Sequence, residues 1–268
     1  MPRDAIHPGS RSPMKDPTQR FSSRAENYRK YRPRYPRAVV GALRDDCGLT
    51  SESAIADIGS GTGLLTELFL ENGNAVYAVE PNPEMRAEGE RFLRRYSRFR
   101  SVDGRAEAST LADRSVDFVV AGQSFHWFDR GLAQKEFARI LRPAGWAMLA
   151  WNHSKPQPES FLQKYERLRV QYATDQALLN MEQRDADAAA DLFGPRGFRS
   201  RTFSNPDRLD YPAVLGQLLS LSFTPEPGHP KHETMLAELA EIFRAHEAHG
   251  TVEVSYMTTM YYGRLRRR

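Results

Sequence analysis

The chain has 268 residues, and its 38 Lys+Arg against 34 Asp+Glu give a formal net charge of +4. An apolar content of 40% with 10% aromatic residues supports a sizeable core and excludes global disorder. The single cysteine, Cys47, excludes a disulfide framework and a multi-cysteine zinc site.

No apolar run approaches the roughly 18 residues of a membrane-spanning helix. Pro2, Pro8, Pro13 and Pro17 interrupt any signal-peptide core. A soluble cytoplasmic protein with no membrane partner is therefore expected. The net charge is unevenly spread: residues 20–37 carry +6, 91–105 carry +5 and 263–268 carry +4, so the remaining 229 residues carry −11. Basicity this local disfavours a uniform nucleic-acid coat but leaves patches able to meet an anion. The length suits one domain with an inserted subdomain.

Residues 1–17, rich in Pro, Ser, Gly and charge, read as a flexible tail. From Thr18 to Lys30 a helical spacing puts Phe21, Ala25 and Tyr28 near one face. Tyr31-Arg-Pro-Arg-Tyr-Pro36 breaks it, since residues before proline avoid the α region. Pro36 suits the first turn of a following helix that turns Val39, Val40 and Leu43 inward.

An alternation of short apolar runs and amphipathic helices comes next. Strands are predicted at Ala54–Ile58, Ala75–Val79, Phe99–Val102, Val116–Ala121 and Trp146–Trp151. Helices are predicted at Leu64–Asn72, closed by Gly73, around Pro83–Arg95, and at Leu132–Leu141, stopped by Pro143-Ala-Gly145. This order indicates a parallel sheet covered on both faces.

After Trp151 the pattern turns helical over 155–195, with Phe161, Tyr165, Leu168 and Tyr172 forming an apolar stripe. A short strand is predicted at Phe198–Phe203, helices at Tyr211–Leu221 and His232–His246, the latter ended by Gly250, and a last strand over Thr251–Gly263. Segments 18–36, 155–195 and 205–250 are expected to form a helical cap.

The strongest motif is Asp57-Ile-Gly-Ser-Gly-Thr-Gly63 between a strand and a helix. Glycines let the backbone turn sharply and approach a ligand over the carboxyl end of the first strand. The spacing is Gly-x-Gly-x-Gly, which turns the assignment away from dinucleotides and so from an NAD-linked oxidoreductase. Glu80, at the end of the second strand and 17 residues after Gly63, can accept hydrogen bonds from ribose hydroxyls. In Asp103-Gly-Arg-Ala-Glu107, the small Ala106 leaves the backbone open to an adenine edge, and Glu107 can accept from an exocyclic amine.

With these residues the chain resembles the class I S-adenosylmethionine-dependent methyltransferases, and within them the small-molecule, trans-aconitate-methyltransferase-like proteins. The resemblance is carried by Asp57–Gly63, Val79-Glu80-Pro81, Gly104–Glu107, Gln123-Ser-Phe-His-Trp-Phe-Asp129 and Leu141-Arg-Pro-Ala-Gly145. It is also carried by Phe21, Ala25, Tyr28, Arg32, Pro33, Tyr35 and Pro36, and by the ending Tyr256–Leu265. It implies a Rossmann-like α/β fold with a seven-stranded, mostly parallel sheet whose last strand is antiparallel.

It implies S-adenosyl-L-methionine as cofactor. Asp57, Gly59, Gly61 and Gly63 would border its methionyl end, Glu80 and Pro81 its ribose, Ala106 and Glu107 its adenine, and Gln123 its sulfonium. The expected partner is a small-molecule methyl acceptor met by a monomer or homodimer.

Methyl transfer from a sulfonium is an in-line displacement in which the protein mainly orients the reactants, an effect worth roughly 7–11 kcal/mol. No metal or obligatory triad is expected. His126 is the candidate base, with a packing role between Phe125 and Trp127 as its alternative. Tyr28 and Arg32 can close over the cofactor, Arg32 pairing with a carboxylate.

Gly122-Gln-Ser-Phe-His126 lacks the last glycine of a hydrolase elbow. His246-Glu-Ala-His249 is one residue short of a metalloprotease motif, and Asn152-His-Ser154 matches a glycosylation acceptor without a secretory context. The competing functions are a nucleic-acid methyltransferase and a non-catalytic cofactor-binding regulator.

Overall fold

The computed structural model describes residues 24–175, 185–194 and 197–265. The expected tail at 1–17, Phe21, and parts of the cap and the Arg-rich C-terminus lie outside the described residues.

In chain order the elements are α1 (Ala25–Tyr31), α2 (Ala38–Cys47), β1 (Ala54–Ile58), α3 (Leu64–Glu71), β2 (Ala75–Val79), α4 (Pro83–Leu93), β3 (Phe99–Val102), β4 (Val116–Gly122), α5 (Arg130–Ile140), β5 (Leu141–Ser154), α6 (Phe161–Tyr172), α7 (Asp185–Phe193), β6 (Phe198–Leu209), α8 (Tyr211–Leu219), α9 (His232–His246) and β7 (Val252–Gly263). The strands form one seven-stranded sheet in the order β3-β2-β1-β4-β5-β7-β6. β1 to β5 pair in parallel, and β7 is antiparallel to both β5 and β6. Strand order reverses between β1 and β4, which opens a crevice above their carboxyl ends.

Alternating side chains build a core on each face of the sheet. Ile55, Phe118, Val120, Met148 and Ala150 pack with Val39, Leu43, Leu65, Phe69 and Leu93 of α2, α3 and α4. Ala56, Ile58, Val119, Ala121, Leu149 and Trp151 pack with Phe137 of α5 and Leu192 and Phe193 of α7.

The cap has its own core. β6 and β7 stay paired out to Leu209 and Val252, past the point where β7 leaves β5 at Tyr256. On that overhang α6, α8 and α9 bury Leu168, Leu218, Met235 and Leu239 together with Val252 and Val254. The expected stripe of Phe161, Tyr165, Leu168 and Tyr172 is buried throughout. Among the described residues no helix is long and apolar enough to cross a membrane.

Several details differ from expectation. α2 begins at Ala38, after an Arg37 cap, so Pro36 precedes the helix rather than entering its first turn. β5 begins at Leu141 instead of Trp146, because Leu141 already pairs with Val116 before an irregularity brings Trp146 opposite Phe118. β6 continues past Phe203 to Leu209, since it pairs only with β7 and an edge strand tolerates Pro206. α9 has the expected bounds, but Gly250 (φ +77°) does not cap it and instead turns the chain between Ala248 and Thr251.

Candidate functional site

The loop after β1 is held by its own amides. Gly59 and Ser60 both donate to the Val79 carbonyl, at 2.9 and 3.1 Å. Gly61 donates to Glu80 Oε2 at 2.8 Å, and the other Glu80 oxygen accepts from the Asn82 amide at 2.9 Å. One carboxylate thus links the glycine loop to the start of α4. A Cβ on Gly59 (φ +66°) would stand 2.8 Å from Ser124 Cβ, so only glycine lets the loop lie against the end of β4.

A cavity of about 340 Å³ lies over these strand ends. It brings together Asp57, Gly59, Gly61, Glu80, Pro81, Ala106, Glu107 and Gln123, with Tyr28, Arg32 and His126 on its walls. Gly63 is the exception. It caps α3 in the left-handed region (φ +87°), its Cβ would strike Leu93 at 2.5 Å, and it does not line the cavity. Its demand for glycine comes from packing.

Asp57 is fully buried. Oδ2 accepts from Thr66 Oγ1 at 2.6 Å, while Oδ1 is buried with no hydrogen-bond partner. Burial pushes its carboxyl up to about 7. Burial likewise raises Glu80, opposed by the Asn82 and Gly61 amides.

Arg32 lays its guanidinium 4.9 Å from the Tyr28 ring centre, and its Nε is buried without a partner. Gln123 ends β4 in the left-handed region (φ +54°), its amide donating to Ala150 O at 2.9 Å and its Nε2 to Asn152 O at 3.1 Å. His126 stands in a short helical turn, its ring 5.0 Å from Trp127. Glu107 accepts from the Asp129 amide at 2.8 Å, leaving lone pairs for a ligand.

The first two basic clusters are compensated in part. In the N-terminal cluster Arg24, Arg29, Arg34 and Arg37 pair with Glu226, Glu88, Glu67 and Glu71. In the second, Arg91, Arg95 and Arg98 pair with Glu88, Glu67 and Glu52. Arg105, the last residue of the second cluster, lines the cavity.

Sequence reasoning also missed several wall residues. Met85 stands alone among polar residues in the first turn of α4, Phe128 lies in the Gln123–Asp129 run with no role assigned to it, Ser222 and Phe223 lie between α8 and α9, and Asn152 carried only a misleading glycosylation signature. Its side chain is engaged inside the fold, donating to the Pro33 carbonyl at 3.1 Å.

The donor set fits S-adenosylmethionine. A buried carboxylate oxygen lacking a donor complements an ammonium, and a buried guanidinium N–H lacking an acceptor complements a carboxylate. Glu80 keeps lone pairs free beyond its two amides, and Pro81, Met85, Ala106 and Phe128 offer apolar surface to a planar base.

Comparison with known proteins agrees. Residues 56–149 match the family model described as a methyltransferase domain. An uncharacterized methyltransferase of Schizosaccharomyces pombe is 31% identical over 234 residues, covering 84% of this chain and 87% of that protein. One from Mycobacterium tuberculosis is 30% identical over 193 residues, covering 62% of this chain and 76% of the relative.

Among solved structures, a chain from Anaeromyxobacter dehalogenans assigned as a type II methyltransferase superposes with a TM-score of 0.62 at 22% identity, over 88% of this chain and all (100%) of that one. The YcgJ protein of Bacillus subtilis superposes at 0.53 with 15% identity, over 87% of this chain and 100% of that one. Both support the fold alone. The S. pombe relative, matched over most of both chains, carries the assignment: the chain belongs to the class I S-adenosylmethionine-dependent methyltransferases.

Proposed function

We propose that this methyltransferase acts on a small-molecule acceptor, methylating a carboxylate or hydroxyl oxygen by in-line displacement. The observation that carries this is the make-up of the cavity wall: Tyr28 and Arg32 from α1 and its end, Trp127, and Ser222 and Phe223 from the segment between α8 and α9 line the same cavity as the glycine loop. Such a wall suits an acceptor that is engulfed, not a polymer lying across a surface.

S-adenosylmethionine supplies the activated methyl group. In this reading Asp57 holds the ammonium of its methionyl end and Arg32 the carboxylate. Glu80 holds the ribose hydroxyls, Ala106 and Glu107 meet the adenine, and Gln123 lies near the sulfonium. The side chains orient both partners and exclude water, which is where most of the rate gain of such a displacement lies. A carboxylate acceptor needs no base. For a hydroxyl acceptor, His126, which lines the cavity, takes the proton in this reading.

The nucleic-acid alternative loses support, since Arg29, Arg34, Arg91 and Arg95 of the two clusters that suggested it are ion-paired within the chain. Gln123-Ser-Phe-His126 also differs from the Asn/Asp-Pro-Pro-Tyr pattern of base-amine enzymes. The deciding experiment is radiolabelled methyl transfer to a metabolite extract with identification of the product. A labelled small molecule supports the proposal. Cofactor binding without any labelled product favours the non-catalytic regulator, and RNA binding that collapses with salt favours the nucleic-acid reading.

A further inference from the structure

We infer that Asn152 is a positioning residue: from β5 it ties the strap at residues 32–36 and the Gln123 side chain together over the cofactor cavity. Its Nδ2 donates to the carbonyls of Pro33 at 3.1 Å and Arg34 at 3.4 Å. Its Oδ1 accepts from Thr258 Oγ1 at 2.5 Å, and its own carbonyl accepts from Gln123 Nε2 at 3.1 Å. One residue thereby touches the strap, the end of β4 and β7.

The strap depends on this grip. Two prolines, Pro33 and Pro36, remove backbone donors and keep it extended. Extended backbone crossing the edge of a site needs partners for its carbonyls. Asparagines supply them: Asn152, and Asn205 of β6, which donates to Arg34 O at 2.7 Å. The flanking residues, Arg32 and Tyr35, line the cavity, so the grip sets where they stand.

The orientation of the amide follows from its partners. Two strap carbonyls can only accept, so they require the NH₂ side of Asn152. Oδ1 is then left facing Thr258, whose hydroxyl must donate. Thr258 is fully buried, and its donation holds the amide against flipping. A carboxylate at position 152 would keep the Thr258 bond and set an acceptor against two acceptors, which expels the strap.

The test compares wild type with Asn152→Asp, Thr258→Val and Thr258→Ser in the full chain. Trypsin cleavage after Arg34 and Arg37 in the ligand-free protein reads strap release directly. Asn152→Asp is expected to be cut about tenfold faster there, because cleavage follows the population of the opened segment. It should bind S-adenosylhomocysteine about tenfold more weakly, while its unfolding midpoint moves by no more than about 3 °C. Thr258→Ser keeps the donor and should behave as wild type, and Thr258→Val should follow Asn152→Asp.

Cutting and binding at wild-type levels in Asn152→Asp would overturn the inference. If that variant does not fold, equal cutting of Thr258→Val and Thr258→Ser overturns it instead. Failure of wild type to bind S-adenosylhomocysteine would count against the cofactor roles proposed above, and the cleavage comparison would still decide the role of Asn152.

Discussion

The Tyr35 hydroxyl rests on the bare backbone of Gly122: a Cβ at Gly122 would stand 2.4 Å from the phenol oxygen and 2.9 Å from the ring carbon that bears it. Gly122 ends β4 beside the strain at Gln123, so the contact joins the strap to a strand end that lines the cavity.

Gly122→Ala therefore tests the fit of the strap. Gly122 has no left-handed φ, so the substitution acts through volume alone. Tyr35 is a stiff ring with little room to yield, and Leu65 closes the other side at 3.0 Å. Overpacking of this kind costs about 1–3 kcal/mol. Calorimetric titration with S-adenosylhomocysteine should show roughly tenfold weaker binding, partly recovered in Gly122→Ala/Tyr35→Leu. An unchanged affinity in the single variant would mean that the strap moves freely.

With Asp57 holding the cofactor ammonium as proposed, stability and cofactor binding are expected to have opposite pH dependences. Burial holds its carboxyl near 7, above the ordinary carboxylate range. Between about pH 4 and 7 the folded protein keeps a proton that the unfolded chain has released. Stability of the ligand-free protein must therefore fall as pH rises through that window and flatten above it. Glu80, also raised, adds to the same slope. Binding of an ammonium favours the ionised form, so affinity should rise from pH 6 to 8. Asn at position 57 should flatten the stability curve and weaken binding most at pH 8. Thermal melts and titrations at pH 5, 6, 7 and 8 separate the two effects. A parallel pH course for both would remove Asp57 from contact with the ligand.

Glu80 restrains the glycine loop and is proposed to hold the ribose, and two substitutions divide these roles. Its oxygens accept from the Gly61 and Asn82 amides before any ligand arrives. Hydrogen bonds to a charged group are worth about 1.5–3 kcal/mol each. Glu80→Gln retains one amide acceptor and should lose about tenfold in S-adenosylhomocysteine affinity. Glu80→Ala frees the glycine loop as well and should lose about a hundredfold, with a lower denaturation midpoint. Equal losses from the two variants would show that loop restraint contributes nothing.

What was legible in the sequence was what local chemistry determines. The β1 loop and Glu80 could be placed because glycines and a strand-end acid carry their meaning within a few residues. The apolar stripe of α6 could be placed because its spacing is helical. Asn152, Arg105 and Phe223 could not, since their meaning depends on which distant strand or loop lies opposite. The ion pairs of the basic cluster at 20–37 were hidden for the same reason: the partners Glu67, Glu71, Glu88 and Glu226 lie far along the chain. Gly63 misled differently, because packing against Leu93 and ligand approach both ask for glycine.

Arg24 is the strongest case of a cluster residue whose work is structural. It is 7% exposed, and its guanidinium donates to Thr224 Oγ1 at 2.8 Å, to Thr224 O at 3.0 Å and to Leu219 O at 3.4 Å. Nearby, the Tyr31 ring lies so close to Gly216 that a Cβ there would fall 1.9 Å from it. Together these seat α1 on α8, next to the loop bearing Ser222 and Phe223. Arg24→Ala would bury the Thr224 and Leu219 acceptors without donors, at about 2–4 kcal/mol. Arg24→Lys should rescue little, because an ammonium cannot span the fork of acceptors. Arg37→Ala is the control. That side chain is 85% exposed, and its loss should change stability by less than about 0.5 kcal/mol. Chemical denaturation of the three variants checks the ranking. Since α1 also carries Tyr28 and leads into Arg32, Arg24→Ala should bind S-adenosylhomocysteine more weakly even where it remains folded, and Arg37→Ala should not.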